Sequence, residues 1–229
     1  MTDSHAPGAA GALAAAAPSG SVYGGYAMYL PRVMDMLVAH IEAFDRATRE
    51  RTGEGAYEHF NHRIKSEESM RDKCERKGLP ATPLSALHTI HDAIGCRIVC
   101  SFVDDIYALA RHIKSRPEFT VVEEKDYVSH PKPNGYRSYH MIVSVETPFP
   151  DPTGAKPGHY PAEIQLRTIA MDSWAALEHQ VKYKKDLGAA NAQIVTAELK
   201  RCADELASCD LQMQTIRNLI AEDNGAAGN

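Results

Sequence analysis

Apolar positions change period twice along this chain, from helical spacing to alternation and back. Over residues 29–51, Val33, Met36, Leu37, His40, Ile41 and Phe44 recur at helical spacing among charged residues. That predicts an amphipathic helix, ended by Gly53 and Gly55. A short extended piece then runs into a second helix. Ser66 is its expected N-cap, because a hydroxyl accepts the free N–H groups of a first turn, and Glu67 and Glu68 suit the positive end of the helix. Gly78 and Pro80 stop it. Residues 94–102 are β-rich, 104–115 helical and 119–128 alternating, 129–135 is a Pro/Asn-Gly loop, and 139–146 and 160–168 are further strands.

The last third returns to helix, over 169–187 and 191–222. In the second stretch Ile194, Leu199, Cys202, Leu206, Met213, Ile216 and Ile220 mark an apolar stripe on one long helix or a helix pair. Such a stripe has to pack on its own domain or on another subunit. The order helices, strands, helices predicts an α+β fold with a mixed sheet of four or five strands.

Composition adds bounds. With 229 residues, 44% of them hydrophobic, the chain can build one domain with helical elaboration. A net charge of −5 disfavours a dedicated nucleic-acid binder, although basic residues cluster locally. Five cysteines without a CxxC pair read as small buried hydrophobes in a reducing cytosol, so a cytoplasmic location is expected. The first 24 residues are rich in Ala and Gly, with Asp3 where a signal peptide wants a cation; a disordered tail is expected there. No run approaches the ~18 apolar residues of a membrane span. The expected organisation is a tail over 1–24, a domain over 25–188, C-terminal helices over 189–222 and a short tail over 223–229.

Four segments carry candidate chemistry. In AEIQLRT, residues 162–168, alternation turns Ala162, Ile164 and Leu166 to the core and Glu163, Gln165 and Arg167 to the other face. A carboxylate, an amide and a guanidinium in one row suit a metal, a hydroxyl and a phosphate; a solvated sheet face is the plain alternative. In HDAIGCRI, residues 91–98, Asp92 precedes an apolar strand and can hold Mg²⁺, while Arg97 within the strand needs an anionic or π-stacking partner. An Asp92–Arg97 structural pair is the alternative there. A His91-Asp92 phosphohydrolase dyad lacks its further metal ligands.

In residues 62–77, Arg63 and Lys65 share a face if extended, and Ser69 and Lys73 share one on the helix. Cations leading into a helix N-terminus suit phosphate; Arg71, Glu75 and Lys77 fit a solvated helix face. In residues 125–140, Pro131, Pro133 and Gly135 stiffen a loop that presents Lys132, Asn134, Tyr136, Arg137 and His140. That combination offers charge for phosphate and a π-face for a base.

Together, RIKSEES with its following Lys73, HDAIGCRI, DYVSHPKPNGYRSYH and EIQLRT with AMDSWAALEH resemble the synthetase domain of the RelA/SpoT family, most closely its stand-alone small alarmone synthetases. The similarity runs from about residue 30 to 222. It implies a nucleotidyltransferase-like mixed sheet and transfer of the β,γ-pyrophosphate of ATP to the 3′-OH of GDP or GTP, with Mg²⁺, in a homo-oligomer expected to be a tetramer. On this resemblance Arg63 and Arg97 sandwich the adenine, Lys65, Ser69 and Lys73 hold the phosphates, and Asp92 binds Mg²⁺. Glu163 serves at the 3′-OH as base or second metal ligand, with Gln165 beside it. Tyr136 stacks on guanine, and Lys125, Lys132, Asn134, His140 and Arg167 serve the acceptor. Asp172 stands where several relatives carry Asn at the guanine edge.

Two rival functions follow from the same pocket. One is pyrophosphorylation of a tRNA 3′ end or of adenine nucleotides. The other is a non-catalytic module for guanine nucleotides or RNA, against which the pair Asp92 and Glu163 argues, because carboxylates among phosphates repel.

Overall fold

Strand β5, Gly158–Thr168, is the centre of the sheet, and its neighbours explain most of the architecture. The computed structural model describes residues 20–183 and 189–227. Five strands stand in the order β1-β2-β5-β4-β3, with β1 His59–Ile64, β2 Ile94–Cys100, β3 Phe119–Asp126 and β4 Tyr139–Thr147. Among the described strands only β2 and β5 run parallel; the other pairs are antiparallel. This is the mixed α+β sheet expected, with five strands.

Alternation decides the two faces. In β5 Tyr160, Ala162, Ile164 and Leu166 are fully buried while Glu163 and Gln165 are half exposed. The buried row continues through Ile94, Cys96 and Ile98 of β2 and Met141, Val143 and Val145 of β4. Helix α1, Leu30–Thr52, and helix α3, Val103–Lys114, supply the same core with Val33, Leu37, Ile41, Ile106, Leu109 and Ile113. Each such side chain contributes roughly 1.5–3 kcal/mol on burial, which fixes the register, since a one-residue slip would expose the whole row.

Local signals behave as the sequence predicts. Gly53 closes α1 in the left-handed region at φ 81°, its N–H bonded to the Arg49 carbonyl. Ser66 caps α2, Glu67–Arg76, by accepting from the Ser69 N–H at 3.2 Å.

Two expectations about the ends are corrected. The tail boundary at residue 24 falls inside packed structure, for Val22 and Tyr23 are buried; residues 1–19 lie outside the described residues. The C-terminal stretch is one helix, α5 Ala189–Ala227, with no break at 222. The reason lies in what α5 docks with. Its inner face is small and polar: Ala203 is buried, Thr168 donates to Asp210 at 2.6 Å, Gln214 accepts from the Asp104 N–H, and Arg217 pairs with Asp105 at 2.8 Å. Helix α4, Ile169–Tyr183, adds a Trp174 indole N–H to the Leu199 carbonyl. The apolar stripe is therefore divided: Leu199 and Leu206 are half-buried on the docked side, while Ile194, Met213, Ile216 and Ile220 are about half exposed or more.

Candidate active site

The sheet face not covered by α1 and α3 carries the polar side chains. Directly opposed residues share a face, so one transverse row reads Asn61, Arg97, Gln165, His140 and Lys125 across all five strands. The next row reads Arg63, Gly95, Glu163 and Ile142. Gly95 contributes no side chain, so a cleft of about 200 Å³ stays open above it, walled by Arg63, Arg97, Glu163 and Gln165. Residues from three strands thus meet although up to 102 positions separate them in sequence, as in Arg63 and Gln165.

At one end of the cleft, the Lys65 ammonium stands 2.9 Å and the Lys73 ammonium 2.5 Å from the same Asp92 oxygen, Oδ2. Burial pushes the Asp92 carboxyl up; the hydrogen bonds and charges of Lys73 and Lys65 more than offset this and hold it below its ordinary range. Asp92 Oδ1 is buried and has no hydrogen-bond partner among the described residues. The alternative pairing of Asp92 with Arg97 is not formed, since the two lysines occupy Asp92. Arg97 is half exposed on the open face, 3.8 Å from Asp172. Being open, it escapes the desolvation cost that a buried guanidinium would carry. Ser69 lies on the α2 turn between these lysines, where its hydroxyl accepts from Ser66 at 3.0 Å.

This donor set fits a hard divalent cation. A bare carboxylate oxygen beside phosphate-seeking ammonium groups is the arrangement in which Mg²⁺ takes one or two carboxylates and completes its shell with water and phosphate. Among the described residues no three His, Cys, Asp or Glu gather into an all-protein cage.

The other end is held by rings. Arg167, only 5% exposed, donates to Asp172 at 2.8 Å, to the Tyr136 hydroxyl at 2.9 Å and to Gln165 at 3.1 Å, with its guanidinium 5.4 Å from the Tyr136 ring centre. Its two terminal nitrogens are therefore directed at protein atoms, and its place is behind the acceptor tyrosine. The Tyr136 hydroxyl also bonds His140 Nε2 at 2.8 Å, and His140 Nδ1 lies 3.8 Å from Glu163. Burial first, and then Arg167, Lys132 and Lys125, push the His140 pKa down to about 4. His140 is therefore neutral at pH 7, and its contact with Glu163 is polar without being an ion pair. Lys132 sits over the rings of Tyr127 and Tyr136, at 4.7 and 5.0 Å.

Two expected acceptor residues are engaged by acidic partners. Asn134 turns to Glu178 of α4 at 3.2 Å, and Lys125 pairs with Glu123 on the edge strand. Sequence reasoning missed Asn61, Tyr127, Trp174 and the brace behind the loop. Asn61 was accessible from alternation with Arg63; the others depend on helix α4 and the loop meeting in space. Gly135, at φ 91°, is required by that meeting, since a Cβ there would lie 2.5 Å from the Ala203 Cβ of α5.

The arrangement matches a known family. A model of the region found in RelA/SpoT proteins matches residues 62–187, more than half the chain. GTP pyrophosphokinase YwaC of Bacillus subtilis strain 168 is 40% identical over 168 residues, spanning 73% of this chain and 77% of that protein. GTP pyrophosphokinase YjbM of the same strain is 37% identical, spanning 72% and 74%. The crystal structure of small alarmone synthetase 1 from Bacillus subtilis bound to its product pppGpp superposes with a TM-score of 0.71 at 29% identity, covering 85% of this chain and 96% of that one. The chain belongs to the RelA/SpoT family. No helix among the described residues is long and apolar enough to cross a membrane.

Proposed function

We propose that this protein is an ATP:GDP/GTP 3′-pyrophosphotransferase that makes ppGpp and pppGpp. The observation that carries the assignment is the convergence of Lys65 and Lys73 on one oxygen of Asp92, with the other oxygen bare, at the edge of a cleft lined by Glu163. The similarity to GTP pyrophosphokinases and to an alarmone synthetase carrying pppGpp supports the same reaction.

Arg63 and Arg97, on neighbouring strands of the open face, offer two guanidinium planes for adenine, and Lys65, Ser69 and Lys73 bind the triphosphate. Tyr136, held edge-on by Arg167 and His140, stacks on guanine, with Lys132 and His140 lining that side; Lys125 and Asn134 reach the acceptor only by leaving Glu123 and Glu178. Asp172, beside Arg167, serves the guanine edge, where a carboxylate accepts from N–H groups that adenine lacks. Glu163 takes the proton of the acceptor 3′-OH. The freed 3′-oxygen attacks the β-phosphorus of ATP, the bond from that phosphorus to the α,β-bridging oxygen breaks, and AMP leaves. Asp92, with Glu163 as second ligand, would hold Mg²⁺, which supplies charge neutralisation on the transferring pyrophosphate. Positioning and neutralisation of spreading charge dominate such transfers, and the cleft is furnished for both.

A free nucleotide fits better than tRNA. Lys65 and Lys73 are taken by the ATP triphosphate, Arg71 by Glu67 and the Gly20 carbonyl, and α5 adds Glu198, Asp204 and Glu205 on its exposed surface. Exposed Arg76 and Lys77 at the end of α2 offer only a small landing patch against the many phosphate contacts that tRNA requires. The open stripe of α5, including Met213 and Ile216, is the proposed contact between copies, giving a homo-oligomer of the tetrameric kind. Purified protein supplied with γ-labelled ATP should release AMP and label GDP or GTP. Label on deacylated tRNA alone, or on adenine nucleotides alone, would overturn the assignment. Light scattering at micromolar concentration should return several times the 25.1 kDa of one chain; a monomer would refute the contact.

A further inference from the structure

Residues 21–23, at the end of the segment expected to be a tail, are fastened to the phosphate corner of the cleft. Val22 and Tyr23 are 0% and 3% exposed. Glu67, in the first turn of α2, accepts from the Ser21 hydroxyl and from the Val22 N–H at 3.0 Å. One turn later Arg71 donates to the Gly20 carbonyl. The Tyr23 phenol donates to the Lys65 carbonyl at 2.7 Å.

Lys65 and Ser66 are the whole connection between β1 and α2. The Lys65 N–H is bonded to the Ala93 carbonyl at 2.8 Å, next to Asp92. The Tyr23 hydroxyl therefore supplies the second anchor of this residue's backbone. Both anchors fix where its long side chain starts, and its ammonium ends 2.9 Å from Asp92. Burial, then Asp92 and Glu67, push the Tyr23 phenol well above its ordinary pKa, so it remains a donor throughout the working range.

We propose that residues 21–23 form a strap in which Tyr23, through its hydroxyl, is a positioning residue for Lys65, and that the strap sets the affinity for the polyphosphate of ATP. The proposal rests on the assignment of Lys65 to ATP. Displacements of about 1 Å remote from the chemistry can cost as much as ~10²-fold, and the loss of one backbone anchor should cost part of that.

Tyr23→Phe in the full chain keeps the ring that fills the core and removes only the hydroxyl. The ATP KM should rise about fivefold or more, and inhibition by inorganic tripolyphosphate should weaken in parallel, with the acceptor KM within about twofold. Glu67→Gln, which weakens the other anchor at the surface, should move the ATP KM the same way by about twofold. Thermal melts set the assay temperature well below every midpoint. Lys65→Met separates the two levels of inference. An unchanged ATP KM in that variant would remove the ATP assignment itself. If Lys65→Met weakens ATP while Tyr23→Phe binds ATP and tripolyphosphate like the parent, only the strap is overturned. Equal rises in both KM values in Tyr23→Phe would likewise overturn it, as the mark of general loosening.

Discussion

On the β1–β2 side of the cleft two ammonium groups share one carboxylate oxygen, whereas on the β4–β5 side Tyr127, Tyr136 and His140 pack edge to face around a buried arginine. Each construction answers its ligand. A triphosphate needs cations gathered close together, and gathered cations repel; Asp92 serves as their internal counterion. A base needs a flat ring at a fixed angle, which charge cannot supply but packing can. The phosphate side is therefore held by electrostatics that a ligand can replace, and the acceptor side by contacts that persist with or without one.

The contrast predicts separable defects. The largest expected effect is in Asp92→Asn and Glu163→Gln, each lowering kcat at least about 10²-fold in a protein that still folds, because a metal or base contact is lost. Steady-state kinetics beside a melting curve checks this, and near-normal turnover in either variant would dissolve the phosphate side as described.

Next comes Tyr136→Ala. Loss of the stacking face, worth roughly 1–3 kcal/mol, should raise the acceptor KM about tenfold and leave ATP nearly untouched. The opposite split would mean that the two sides are exchanged.

A smaller effect is expected from the brace behind the acceptor loop, where Gly135 abuts Ala203 and Arg137 lies 3.6 Å from Asp204. Ala203→Leu overfills that contact and should raise the acceptor KM about threefold without affecting ATP. An acceptor KM equal to that of the parent would detach α5 from the site.

The smallest effect concerns pH. His140 has a pKa depressed to about 4. It contributes stability that is complete above its ordinary value near 6.5 and is lost as pH falls through about 4. That contribution is at most about 3 kcal/mol. Melting midpoints should therefore drop more steeply between pH 6 and 4 in the parent than in His140→Gln. Parallel curves would show that burial of this imidazole carries no such cost.

The sequence by itself determined the element order, the cap at Ser66, the two faces of β5 and the place of Arg63, Arg97, Glu163 and Gln165 on strands, because period, capping and turn chemistry are local rules. Glu163, Gln165 and Arg167 were legible as one row for that reason. Tertiary structure decided what local rules cannot reach. It gave Asp92 to Lys65 and Lys73 in place of Arg97, since the β1–α2 connection brings both lysines to it while the pleat turns Arg97 outward. It buried Arg167 behind Tyr136, for α4 folds over that end of the row alone. It drew residues 21–23 out of an apparent tail, where one tyrosine ring and one carboxylate outweigh an Ala/Gly-rich composition. It also turned Ile194, Met213, Ile216 and Ile220 of α5 outward, because a helix docked by hydrogen bonds through Asp210, Gln214 and Arg217 leaves its other face free. Pairing partners, unlike periods, depend on which distant segments meet, and that is settled only when the chain is folded.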